Sequence, residues 1–239
     1  MKIKLVGVQM KKTLSEDEMR DIVQWDVPTW SKAICYWKKI WENENQKTAK
    51  VLDIGARDGG TSLFWALQGI DIICSDLDGP SVLAHTLHAK YNVSGQITYA
   101  EADATNLPYQ DNSFDIVCFK SVLGGIGGVG GAEAVSIALN EMHRILKPNG
   151  FLFFAENLSG SSFHSFLRKH FVSWGNRWLY QSLDLMIDNL SIYSEHHIET
   201  FGLFGCLKTN FKLFNLLDEF FCSRVTSKNH YMCYGYARK

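Results

Sequence analysis

The 239-residue sequence has no C-x-x-C pair; its six cysteines (Cys35, Cys74, Cys118, Cys206, Cys222, Cys233) are scattered. That spacing suggests neither a zinc ribbon nor a redox dithiol. Cys74 and Cys118 fall within apolar strand-like runs, where a free thiol behaves as a small hydrophobe, and the pattern reads as that of a reducing, cytoplasmic protein. Charge of one sign is also lacking. The 24 Lys and Arg against 25 Asp and Glu leave a net charge of −1, so no overall basic field argues for a nucleic-acid partner. No apolar run approaches the roughly 18 residues of a membrane span, and the apolar stretch in MKIKLVGVQMKK is too short for a signal peptide.

What is present is an ordinary globular composition, 46% hydrophobic and 21% charged, enough for a sizeable core in one domain with a modest extension. Residues 1–48 read as a helical N-terminal cap on a domain spanning 49–239. After a short strand-like start, SEDEMRDIVQW predicts a helix with acids in its first turn, where the helix dipole favours them. In DVPTWSKAICYWKKIWENEN, Trp30, Ala33, Ile34, Trp37, Ile40 and Trp41 recur at helical spacing. Two roles fit that stripe: packing on the next domain, or covering a ligand pocket as well.

From 50 to 156 strands and helices alternate. KVLDIG, DIICSD, QITYAEAD, SFDIVCFK and FLFFAEN read as strands. TSLFWALQG, a helix opened by Pro80 with Leu83, Leu87 and Tyr91 at four-residue spacing, and AEAVSIALNEMHRIL read as helices. Continuously apolar strands separated by helices imply a doubly wound α/β fold, its mostly parallel sheet covered on both faces. IYSEHHIETFGLFG and HYMCYGYARK form a terminal antiparallel pair in this reading. Between the elements, GGIGGVGG (124–131) is either a mobile rim for a ligand or a flexible connection.

Ligands of doubly wound sheets bind beyond the carboxyl ends of the strands. Those ends carry Asp53, Gly55, Ala56 and Arg57; then Asp76; then Glu101-Ala102-Asp103-Ala104; then Lys120-Ser121. A dinucleotide loop needs a second glycine for close approach of a pyrophosphate, and Arg57 stands in that place. S-adenosylmethionine (SAM) has no phosphate. Its ribose can use Asp76, its adenine amine can donate to Asp103, and its tail can meet backbone near Gly55. The loop suits SAM better than NAD.

Taken together, VLDIGARDGG, DIICSDLDGP, EADATNLPYQDNSFDIVCFKSV and EMHRILKPNGFLFFAEN resemble the class I, Rossmann-like SAM-dependent methyltransferases, in particular the small-molecule type 11 group. The resemblance covers about 50–157, and the terminal pair would supply the sixth and seventh strands. It implies that Gly55 and Ala56 line the methionine part, Asp76 and Leu77 hold the ribose, Asp103 and Ala104 meet adenine, and Lys120 lies beside the sulfonium. Arg57 departs from the family pattern and could give the SAM carboxylate a cationic partner. Asp78 reads as a helix cap and Asp115 as a turn residue.

Methyl transfer from SAM is an in-line displacement that needs alignment and exclusion of water. It needs no metal, and His85 with His88 lack a third ligand type. Glu156 and His164 are the candidate proton acceptors at the mouth of the sheet; packing among Phe163 and Phe166 is the other reading of His164. Residues 158–190 and 205–228 form an aromatic acceptor region. In 163–178, Phe163, Phe166, Leu167, Phe171, Trp174 and Trp178 share a face. That face can cap the pocket, stack on sugars, or lie on an anionic membrane surface. FKLFNLLDEFF, apolar on nearly every side, suggests burial or a homodimer contact. WSKAICYW, KSVLGGIGG and FAENLSGSSFHSFLRKHFVSWGNRW resemble methyltransferases associated with surface-polysaccharide synthesis, which implies O-methylation of a small molecule or glycan. The alternatives are a quinone-like lipophilic acceptor, and a regulatory protein that keeps the fold without catalysis.

Overall fold

The computed structural model describes residues 13–44, 48–171, 178–204 and 212–239. The strand-like start at 1–12, Trp174 and Cys206 lie outside them. Two helices come first, α1 (Glu16–Val23) and α2 (Val27–Asn43). Ser15 caps α1 by accepting from the Glu18 N–H while the Glu18 carboxylate accepts from the Ser15 N–H, a reciprocal capping box. On α2, Trp30, Ala33, Ile34, Trp37 and Trp41 are buried. They share one apolar cluster with Phe64, Trp65 and Phe153 on the sheet side, so the predicted stripe does pack on the following chain.

The sheet strands are β1 (Val51–Ile54), β2 (Ile72–Asp76), β3 (Ile97–Glu101), β4 (Phe114–Lys120), β5 (Leu146–Asn157), β6 (Glu195–Phe201) and β7 (Met232–Arg238). Their order is β3-β2-β1-β4-β5-β7-β6. The first five pair in parallel, and β7 runs antiparallel to both β5 and β6. This is the expected seven-stranded, doubly wound arrangement. One face packs on α1, α2 and α3 (Gly60–Leu67). The other packs on α5 (Leu123–Ile145) and α7 (Leu183–Leu190).

Several local expectations need correction. On α4 (Val82–Lys90) the buried residues are Ala84 and His88, whereas Leu83 is exposed. Its cap is Ser81, which accepts from the Leu83 N–H, and not Asp78. The glycine run is not a flexible connection: it is helical and forms the first turns of α5, up to a kink at Gly131. Helix α7 has no counterpart in the sequence expectations. Its polar residues at 184 and 188 mask a short apolar face of Met186 and Leu190. Finally, α8 (Lys212–Cys222) is not buried all round, since it buries Asp218 and Cys222 while Leu216, Phe220 and Phe221 remain exposed. No helix among the described residues is long and apolar enough to cross a membrane.

Candidate functional site

The loop after β1 is built from left-handed turns, with φ of +65° at Gly55, +45° at Arg57 and +78° at Gly59. Arg57 thus keeps a backbone conformation that a β carbon disfavours. Two bonds hold it there. Its N–H donates to Asp76 Oδ2 at 2.8 Å, and its carbonyl accepts from the Ser81 N–H at 2.9 Å. The Arg57 side chain is 79% exposed and lies 3.8 Å from Asp58.

Asp76 ends β2, in register with Glu101 of β3. Its second oxygen accepts from the Leu77 N–H at 2.8 Å. Neighbouring Ser75 accepts the Ala56 N–H through its carbonyl. Asp103 lies just past β3, is exposed, and accepts from the Thr105 N–H and hydroxyl through Oδ1 alone. Ala104 is buried beside it, and Leu77 is exposed. Gly55, Ala56, Arg57, Asp76, Leu77, Asp103 and Ala104 are therefore gathered around the ends of three adjacent strands.

Asp53 is different. It lies beneath the loop, buried, accepting from the Ser62 hydroxyl at 2.7 Å and facing the Cys118 thiol. Burial pushes its carboxyl up to about 7. Its contacts tie β1 to α3 and β4 rather than reach the open end of the sheet.

Lys120 ends β4, one residue beyond the last pairing with β1, Phe119 with Ile54. It is 7% exposed. Its ammonium donates to the Val23 carbonyl at 3.2 Å and lies 3.1 Å from the Trp25 ring centroid and 5.5 Å from that of Trp30. Burial pulls it down to about 7, against the attraction of Asp53 and Glu156. Trp25, between α1 and α2, was not among the sequence candidates. It stands five residues before Trp30, off the helical spacing, so periodicity gives no signal for it.

At the end of β5, Glu156 is fully buried. Its Oε2 accepts from the N–H groups of Val122 and Leu123 at 2.8 and 2.7 Å, and Oε1 from that of Asn157 at 2.8 Å. Burial nevertheless raises it to about 7. Two of those N–H groups belong to the start of α5, where the first turn of a helix leaves its donors unpaired. Glu156 fills that need. His164, on α6 (Ser162–Phe171), is also buried. It stacks on Tyr231 with centroids 4.7 Å apart, and its Nδ1 lies 3.3 Å from the Leu203 carbonyl. Burial, with Arg168 nearby, lowers it to about 4.

The glycine run admits Trp178. A β carbon at Gly124 would sit 1.7 Å from Trp178 Nε1, and the Leu179 N–H donates to the Gly124 carbonyl at 2.9 Å. The close approach is to the chain's own indole.

Residues 52–154 match the family model described as a methyltransferase domain. The strand ends described above fall within or beside that matched stretch. A demethylmenaquinone methyltransferase from Paenarthrobacter aurescens is 35% identical over 45% of this chain and 38% of its own length. A ubiquinone/menaquinone biosynthesis C-methyltransferase from Shewanella is 28% identical over 64% and 58% respectively. A malonyl-[acyl-carrier protein] O-methyltransferase from Pectobacterium atrosepticum is 31% identical over 47% and 40%. The matched region thus spans about 38 to 58% of these curated relatives. Among solved structures, the phosphoethanolamine N-methyltransferase 2 of Haemonchus contortus in complex with S-adenosyl-L-methionine superposes with a TM-score of 0.63. It is 16% identical, covering 93% of this chain and 56% of that one. The [4+2]-cyclase SpnF superposes with a TM-score of 0.57 at 17% identity, covering 88% and 83%. At these identities the chain shares the fold with both, and the cyclase shows that the fold alone does not name the reaction.

Proposed function

We propose that the chain is a SAM-dependent methyltransferase acting on a small lipophilic acceptor. Asp76 carries the reading. It is bonded to the loop after β1 and paired in register with β3, so one carboxylate stands where the three strand ends meet. Each of its oxygens accepts one backbone N–H and keeps a lone pair for a ribose hydroxyl. Oδ2 of Asp103 accepts from no other described residue in the hydrogen bonds of the loop and suits an adenine amine. Arg57 in the second glycine position leaves no close seat for a diphosphate. The residues present fit SAM.

When bound, SAM supplies an electrophilic methyl group on a sulfonium. The chain's own contribution is to grip the nucleoside, exclude water and fix the acceptor's approach. Trp25 and Trp30 roof the end of β4. In this reading Glu156 and His164 are positioning residues rather than proton acceptors. Glu156 accepts three N–H groups, two of them at the start of α5, and so fixes that start. His164 is enclosed against Tyr231. An acidic acceptor, which needs no base, matches a site so furnished.

The relatives named above act, by their names, on quinone precursors and on a malonyl carrier. They favour a quinone-like acceptor over the glycan suggested by the polysaccharide-associated resemblance, and exposed Phe166, Phe220 and Phe221 agree with a lipophilic ligand. The test is methyl transfer from labelled SAM to a panel of quinols and nucleotide sugars. Label entering quinols alone supports the reading; label entering sugars alone overturns the acceptor; SAM binding with no transfer points to the regulatory alternative.

A further inference from the structure

Lys120 is costly where it is. An ammonium offers three N–H donors, and a buried charge needs partners, yet among the described residues the Val23 carbonyl is its one hydrogen-bond acceptor, with two indole faces against it and the Asp53 and Glu156 carboxylates attracting it. The segment that makes this cage is fixed at several points. The Ile22 carbonyl lies over Gly60, where a β carbon would come within 2.2 Å of it. Gln24 donates to the Asp58 carbonyl at 3.3 Å. The Tyr231 hydroxyl donates to Asp26. Residues 22–26 therefore bind both the glycine loop and the start of β7, with the Trp25 ring between them over the end of β4. An aromatic cage holding a cation therefore stands over the end of β4.

We infer that Trp25 and Trp30 form the wall that recognises the positive charge of the methyl donor, and that Lys120 occupies the cage in its place while the crevice is free. The inference rests on the SAM reading above and deepens it. Indole faces attract a sulfonium through the same quadrupole that attracts an ammonium. After transfer the sulfur is neutral, so the cage releases its hold on the product and Lys120 returns. Trp25 is then a specificity-determining residue, favouring the charged cofactor over S-adenosylhomocysteine, which differs in that one charge and methyl group.

The test is calorimetric titration of the full chain with SAM and with S-adenosylhomocysteine. Trp25 is 40% exposed, so Trp25→Leu is open to trial without emptying the core. That variant is expected to weaken SAM binding about 5- to 30-fold, the range of a cation–π contact, and to leave S-adenosylhomocysteine within about twofold. Trp25→Phe keeps most of the preference. Lys120→Met, which removes the resident cation, tightens SAM selectively. Equal loss of both ligands in Trp25→Leu, no loss of either, or weakening of both in Lys120→Met overturns the cage. Should the wild-type chain bind neither ligand, the cofactor reading itself fails.

Discussion

The backbone N–H of Arg57 and the carboxylate of Asp76 are joined at 2.8 Å, so the loop after β1 is locked to the end of β2. Removing the carboxylate releases the loop and deletes the proposed ribose acceptor together. Asp76→Ala is expected to lower SAM affinity by about 1.5–3 kcal/mol, measured by calorimetry. Unchanged affinity in a folded variant contradicts the assignment.

Arg57 sits in a left-handed conformation with its side chain in solvent. Glycine takes that conformation without strain but loses more freedom on folding. Arg57→Gly should therefore gain about 1 kcal/mol at most in chemical denaturation. A clear loss of stability would show that the guanidinium makes a contact worth more than the strain.

These two residues also show what the sequence discloses. The strand ends were legible because apolar runs ending in Asp76 or in Glu101-Ala102-Asp103 announce themselves by pattern and spacing. Asp53 belongs to the same pattern, yet lies beneath the loop, because its partner in the sheet is Cys74, two residues short of Asp76 at the strand end. Glu156 and His164 looked like proton acceptors by chain position. Their burial against backbone N–H groups and Tyr231 depends on where α5 and β7 arrive, which no local pattern encodes. The partnership of Trp25 with Lys120 spans 95 positions and is likewise set by packing alone.

For Glu156, a glutamine can keep two of the three bonds but turns an amide donor toward another donor. Glu156→Gln is expected to cost about 1–3 kcal/mol of stability, with turnover falling through loss of the α5 start. A variant with native melting temperature and abolished turnover would restore Glu156 as a proton acceptor.

Gly124 and Gly125 provide a paired test of the Trp178 approach. A β carbon at Gly124 collides with the indole, whereas at Gly125 the nearest ring atom is 3.3 Å away. Gly124→Ala should destabilise by about 1–3 kcal/mol, and Gly125→Ala should be neutral or gain up to about 1 kcal/mol from helix propensity. Equal effects at the two positions would remove the argument.

His164 makes a pH prediction. Its folded value is lowered to about 4 against an unfolded value of 6.5. Between these values the unfolded chain binds the extra proton, so the histidine's contribution is intact above pH about 6.5 and is lost as pH falls toward about 4. Unfolding free energies of the wild type and His164→Phe, which keeps a ring against Tyr231, are to be compared across that window. The wild type should lose stability more steeply on acidification; parallel curves would mean that the imidazole is free to protonate in the fold.

The most direct measurement is calorimetric titration of the purified chain with SAM and, separately, with NADH. Stoichiometric binding of SAM that weakens in Asp76→Ala, with no heat from NADH, is the predicted result. Binding of NADH without SAM would contradict it.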